Sequence, residues 1–109
     1  MIKVPRRWWI KLDKNHSEYA TFMKALSDET RVKIFDMLSG EELCACNILE
    51  QFQITQPTLS YHMKSLCESG LVDCRRDSVW MKYSINKNGL DSLKRFIDNI
   101  GQKVTGCNK

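Results

Sequence analysis

Residues 43–72 constrain this chain more than any other stretch, because they hold two helical patterns whose connection is too short to let them separate. The first covers 44–52, with Ile48, Leu49 and Phe52 spaced to share a buried face. The second opens on Thr55, whose hydroxyl can satisfy the free amides of a helix start, and Pro57 falls in the first turn, where its missing N–H costs little. Leu59, Met63 and Leu66 then recur at i, i+4 and i+7, and Gly70 marks the stop. Two helices so joined make a helix-turn-helix, and the outer side of the second is what the unit presents.

That outer side carries Pro57, Tyr61 and Lys64, flanked by Thr58, Ser60 and Ser65, with Gln56 at the start. Such groups donate to and accept from base edges and phosphates in a major groove. A helix face that meets only water more often carries paired glutamates and lysines, and here only Glu68, at the far end, is acidic. Strand-like alternation follows over 71–76 and 79–85, joined through Asp77 and Ser78, which predicts a hairpin with Arg75 and Arg76 near its tip. A hairpin in that position is a wing, and its arginines can reach adjacent backbone or minor groove.

Around this unit the chain reads as scaffold. From Ser17 a helical period recurs through Tyr19, Phe22, Met23 and Leu26. Ser27 can cap a second helix with Asp28 and Glu29 in its first turn, burying Val32, Ile34, Phe35 and Leu38 before Ser39 and Gly40 end it. A last helix over 90–100 buries Leu90, Leu93, Phe96, Ile97 and Ile100. The fold expected is mainly α with a β-hairpin wing: a winged helix-turn-helix of four helices, two strands and a fifth helix. It divides into a basic arm at 1–15 with Trp8 and Trp9 packed on the body, a DNA-binding and dimerisation domain at 16–100, and a loose tail at 101–109. The first and last helices have apolar stripes with no place in the helix-turn-helix core. A two-fold mate would bury them and set two recognition helices about one DNA turn, roughly 34 Å, apart.

At 109 residues the chain is one domain, and its +4 formal charge suits a polyanion such as double-stranded DNA. Its five cysteines are odd in number and lack a framework spacing, which points to a reducing cytoplasm. No apolar run approaches the roughly 20 residues a spanning helix needs, so no membrane partner is expected. Neither a nucleophile–base pair nor a phosphate loop stands out, so the chain does not read as an enzyme.

Cys44 and Cys46 open the first helix of the pair. Thiolates are soft ligands, suited to thiophilic ions. On a regular helix, residues i and i+2 point to nearly opposite sides, so sharing one ion requires that helix start to be extended or remodelled. An ion that needs one backbone state, while DNA needs the other, couples the two sites. The plain alternative is that both are small apolar fillers. Cys67, Cys74 and Cys107 read singly as inert, with Cys107 on a tail able to visit a bound ion, and His62 reads as a packing and hydrogen-bonding residue.

Residues 25–34, ALSDETRVKI, together with Glu42-Leu43-Cys44-Ala45-Cys46-Asn47-Ile48 and Ser60-Tyr61-His62-Met63-Lys64-Ser65-Leu66, resemble the second-helix signature, metal box and recognition helix of the ArsR/SmtB winged-helix metalloregulators, in family order and closest to the arsenical-resistance type. The resemblance implies a homodimer that represses transcription from operator DNA and releases it when As(III) or Sb(III) binds. It needs no resident cofactor. It makes Cys44 and Cys46 inducer ligands, Gln56, Thr58, Ser60 and Tyr61 groove contacts, Lys64 a phosphate contact, and Arg75 and Arg76 wing contacts. The place where some relatives carry a third cysteine is Leu49, so a third thiol must come from Cys107, another cysteine or a small molecule. A cadmium-, lead- or redox-responsive repressor using the same thiols, and a metal-buffering protein without specific DNA binding, are the alternatives.

Overall fold

The computed structural model describes the backbone of residues 15–107 and the side chains of 15–104, so the basic arm with Trp8 and Trp9 lies outside the described residues. Its elements are α1 (Asn15–Ala25), α2 (Glu29–Leu38), β1 (Leu43–Cys44), α3 (Ala45–Leu49), α4 (Gln56–Ser69), β2 (Val72–Asp77), β3 (Trp80–Ile85) and α5 (Lys87–Cys107). The strands form one antiparallel sheet in the order β1-β3-β2. Phe22, Ile34, Ile48, Leu59, Met63, Leu66, Leu71 and Val72 form the fully buried centre, drawn from α1 to α4 and the start of the hairpin. Each such side chain contributes about 1.5–3 kcal/mol on leaving water.

The α1–α2 corner is built around Arg31. Its Nε donates to the Ala25 carbonyl at 2.7 Å, its backbone N–H donates to Asp28 Oδ2 at 3.2 Å, and its Nη1 lies 3.2 Å from His62 Nδ1 on α4. A guanidinium has only protons to give, so Nδ1 accepts. The α2 cap is therefore Asp28, in extended backbone, rather than Ser27. Ser27 Oγ turns back and donates to the Lys24 carbonyl at 2.7 Å. Met23 and Val32, expected inside, are 43% and 47% exposed, because the buried line of α1 runs through Phe22 and Ala25, and that of α2 through Ile34 and Leu38.

In α4 the expected features hold. Thr55 Oγ1 accepts the Thr58 N–H at 3.3 Å, Pro57 sits in the first turn, Leu59, Met63 and Leu66 are buried, and Gly70 closes the helix at φ 93°. Gly70 is also where α5 crosses: a Cβ on Gly89 would overlap the Gly70 carbonyl oxygen. The Asn86 side chain accepts the Gly89 N–H at 2.9 Å and so opens α5 earlier than the apolar stripe alone indicates. At its other end α5 continues through residues 101–107, where the sequence suggests a loose tail. Phe96 stacks on Tyr19 of α1 with ring centroids 4.2 Å apart, while Ile97, Ile100 and Val104 remain exposed along α5. Among the described residues, no helix is long and apolar enough to cross a membrane.

The hairpin turns one residue later than expected, at Ser78 and Val79, with Ser78 in the left-handed region at φ 63°. Arg75 pairs with Lys82 and Arg76 with Met81, so both arginines stand on the strand and the tip belongs to Asp77, Ser78, Val79 and Trp80.

A candidate thiol site beside the DNA-facing helix

Cys44 is not helical. Its backbone is extended, at φ −83° and ψ 159°, and pairs with Lys82 of β3, so α3 starts one residue later, at Ala45, and is only five residues long. This corrects the expectation of a helix over 44–52 and removes the geometric objection drawn from it. With Cys44 as the cap and Cys46 in the first turn, the two side chains converge without any remodelling. They are joined as a disulfide, with Cα atoms 5.3 Å apart.

The cap is built with sulfur. The Asn47 N–H points to Cys44 Sγ at 3.3 Å, and Asn47 Oδ1 accepts the Cys44 N–H at 3.3 Å, a reciprocal capping box. Asn47 Oδ1 also lies 3.0 Å from Cys44 Sγ, a contact in which only the reduced thiol has a proton to donate.

Pairing register carries this site toward the wing. Residues directly opposite on neighbouring strands share a face, so Cys44, Lys82 and Arg75 form one row across the sheet, while Leu43, Tyr83 and Cys74 form the next on the other face. Along the outer row, Arg75 Nε and Nη2 each donate to Glu42 at 2.8 Å, and Lys82 Nζ stands 3.1 Å from Asp77 Oδ2. The Arg75 hydrogen bond holds the Glu42 carboxyl below the usual carboxylate range, and the Lys82 hydrogen bond does the same for Asp77. Arg75, expected with Arg76 to be a wing contact, is thus tied to the strap before β1, whereas Arg76 is exposed and, among the described residues, makes no ion pair.

Cys46 reaches α4. It lines a cavity of about 350 Å³ with Leu49 of α3, Gln56 and Ser60 of α4, and Trp80 and Tyr83 of β3. Gln56, Thr58, Ser60, Tyr61 and Lys64 are all exposed, with Tyr61 at 66%. His62 faces inward to Arg31, as its place on the flank of the helix suggests. The backbone of Cys107 ends α5, and its side chain lies outside those described.

One pairing was missed from sequence. Cys67 on α4 and Cys74 on β2 are both free, and both line one groove. Burial, followed by the charge and hydrogen bond of Cys74, pushes the Cys67 thiol up to about 12. The signal available was the strand alternation, which places Cys74 on the same face as buried Val72, combined with Cys67 at i+4 from Met63.

The model of the family "Bacterial regulatory protein, arsR family" matches residues 28–73, which hold α2, the thiol site, α4 and the start of the hairpin. The chain is 44% identical over 93 residues to an arsenical resistance operon repressor of Staphylococcus xylosus, covering 85% of this chain and 89% of that one. It is 43% identical to the protein of the same name from Staphylococcus aureus, with the same coverage. Among solved structures, an ArsR-like transcriptional regulator from Rhodococcus sp. RHA1 shares the fold at TM-score 0.74 and 24% identity, over 85% of this chain and 88% of that one. With the winged helix, its reading helix and the cysteine box all in family order, the chain belongs to the arsR family of bacterial regulatory proteins.

Proposed function

We propose that the chain is a metalloid-responsive transcriptional repressor, binding operator DNA as a homodimer in the cytoplasm and leaving it when As(III) or Sb(III) bonds the reduced Cys44 and Cys46. The observation that carries this reading is the convergence of the two sulfurs at a point that touches both DNA-facing elements: Cys44 through the β1–β3 ladder and Cys46 through the cavity it shares with Gln56 and Ser60. It is supported by the two staphylococcal relatives, each named an arsenical resistance operon repressor.

The mechanism follows from the cap. Cys44 Sγ is the acceptor that holds the start of α3 in the disulfide form, and in the metal-free dithiol the same sulfur keeps that role. A trivalent centre bonded to that sulfur withdraws its lone pairs from the Asn47 N–H and repositions Cys46 against the cavity wall. Only the six residues 50–55 link α3 to α4, so a change at α3 displaces Gln56 and Ser60 relative to their counterparts on the second protomer. The third ligand is Cys107 or a small-molecule thiol. Gln56, Thr58, Ser60 and Tyr61 read bases, Lys64 meets a phosphate, and Arg76 with Arg75 serves the wing. Exposed Ile97, Ile100 and Val104 on α5, with Met23 on α1, supply the dimer face.

The test is fluorescence anisotropy on an operator duplex under reducing conditions. Arsenite should release DNA from wild type and not from Cys44→Ser or Cys46→Ser; release from both variants equal to wild type would sink the assignment. The sulfur–sulfur bond also favours an oxidant-responsive switch using the same residues. Parallel titrations with arsenite and with a thiol oxidant separate the two, the metalloid reading requiring release by arsenite while the thiols stay reduced.

A further inference from the structure

A second pair of thiols lies outside the site described above. Cys67, in the last turns of α4, is half-buried, and Cys74, on β2, is exposed, and the two stand close enough for the charge of one to act on the other. Both open into a groove of about 260 Å³ walled by Met63, Tyr83, Ser60 and the stem of Lys64. No group of three His, Cys, Asp or Glu side chains suited to a metal ion is assembled among the described residues, so this pair offers two soft donors rather than three.

We propose that Cys67 and Cys74 form a second binding site, selective for monosubstituted trivalent arsenicals of the type R–As(OH)2, with the organic substituent R seated in the groove beside Met63 and Tyr83. Three features fit this class. The compound has two exchangeable hydroxyls for two thiols, whereas inorganic arsenite keeps a third hydroxyl that finds no thiol here. The groove exceeds the size of a phenyl ring and offers a thioether and an aromatic ring as neighbours. The exchange also suits a protonated pair. Two S–H and two As–O bonds break, two As–S bonds form, and each departing hydroxyl takes one thiol proton to leave as water. Arsenic stays trivalent and no oxidant or reductant enters. A divalent cation would instead have to expel both protons to solvent, which the raised Cys67 thiol resists.

The site joins the recognition helix to the first wing strand, and neither cysteine belongs to the Cys44/Cys46 switch. Its test is therefore made on full-length Cys44→Ser/Cys46→Ser/Cys107→Ser protein, reduced and then freed of small-molecule thiol, with phenylarsine oxide as the probe and native mass spectrometry as the readout. One phenylarsenic group per protomer is expected, with two thiol protons lost, and arsenite should bind at least tenfold more weakly. Adding Cys74→Ser, an exposed position, should abolish the adduct, and Cys67→Ala should do the same from the buried side. An absent adduct, one that survives either change, or arsenite binding as tightly as the aryl compound would each overturn the proposal. None of these outcomes bears on operator release through Cys44 and Cys46.

Discussion

Cys44 caps α3 through its sulfur, which receives the Asn47 N–H at 3.3 Å while Asn47 Oδ1 takes the Cys44 N–H at the same distance. Under the proposed function the same atom, a structural acceptor, is also the first that a thiophilic centre meets. Serine is among the preferred caps. Cys44→Ser under reducing conditions should therefore leave thermal stability within about 0.5 kcal/mol of wild type while abolishing the arsenite response. Asn47→Ala breaks the reciprocal half of the box and should cost about 1 kcal/mol in chemical denaturation with both thiols intact.

The Glu42–Arg75 pair separates the two wing arginines. Because Arg75 is held by a carboxylate and Arg76 is not so held, Arg76→Ala should lower the log–log salt slope of operator affinity by about one, and Arg75→Ala by clearly less. Equal slopes for the two variants would contradict the separation.

Acid should weaken the same pair. The folded carboxyl of Glu42 is held below its ordinary value of 4.5 by Arg75. A lowered value means that the pair's contribution is complete above the ordinary value and is lost as pH falls through the lowered one. Glu42→Gln should accordingly flatten the acid limb of a melting-temperature profile without altering its shape near pH 7, and salt should shrink the difference between the two proteins.

Gly89 sits where α5 crosses the end of α4, and a methyl group there meets the Gly70 carbonyl oxygen, a backbone atom that cannot swing aside. Gly89→Ala should destabilise the fold by about 1–3 kcal/mol in denaturant unfolding, in line with other overpacked sites. Gly101→Ala, on the same helix with open space around it, is the control and should be neutral or slightly stabilising.

The exposed apolar positions of α5 test the dimer. Ile97→Asp with Val104→Asp should shift sedimentation toward the monomer and weaken operator binding by about 10² or more, the loss expected when two linked half-site contacts become one.

Much of this was legible along the chain. Thr55, Pro57, the Leu59–Met63–Leu66 stripe and Gly70 define α4 locally, because caps, first-turn proline and helical period act within a few residues. The exposure of Gln56, Thr58, Ser60, Tyr61 and Lys64 follows from that stripe, and the family resemblance rests on the same residues. Long-range pairing decided the rest. Two residues of β1 are too few for alternation to register, yet their ladder with β3 takes Cys44 out of the helix and brings its sulfur to Cys46. Cys67 and Cys74 look like separate fillers until α4 packs against β2, and Arg75 looks free until Glu42 reaches across the sheet to it. Local signals specify which helices form; only the register of a sheet, which joins residues dozens of positions apart, specifies which sulfurs and charges meet.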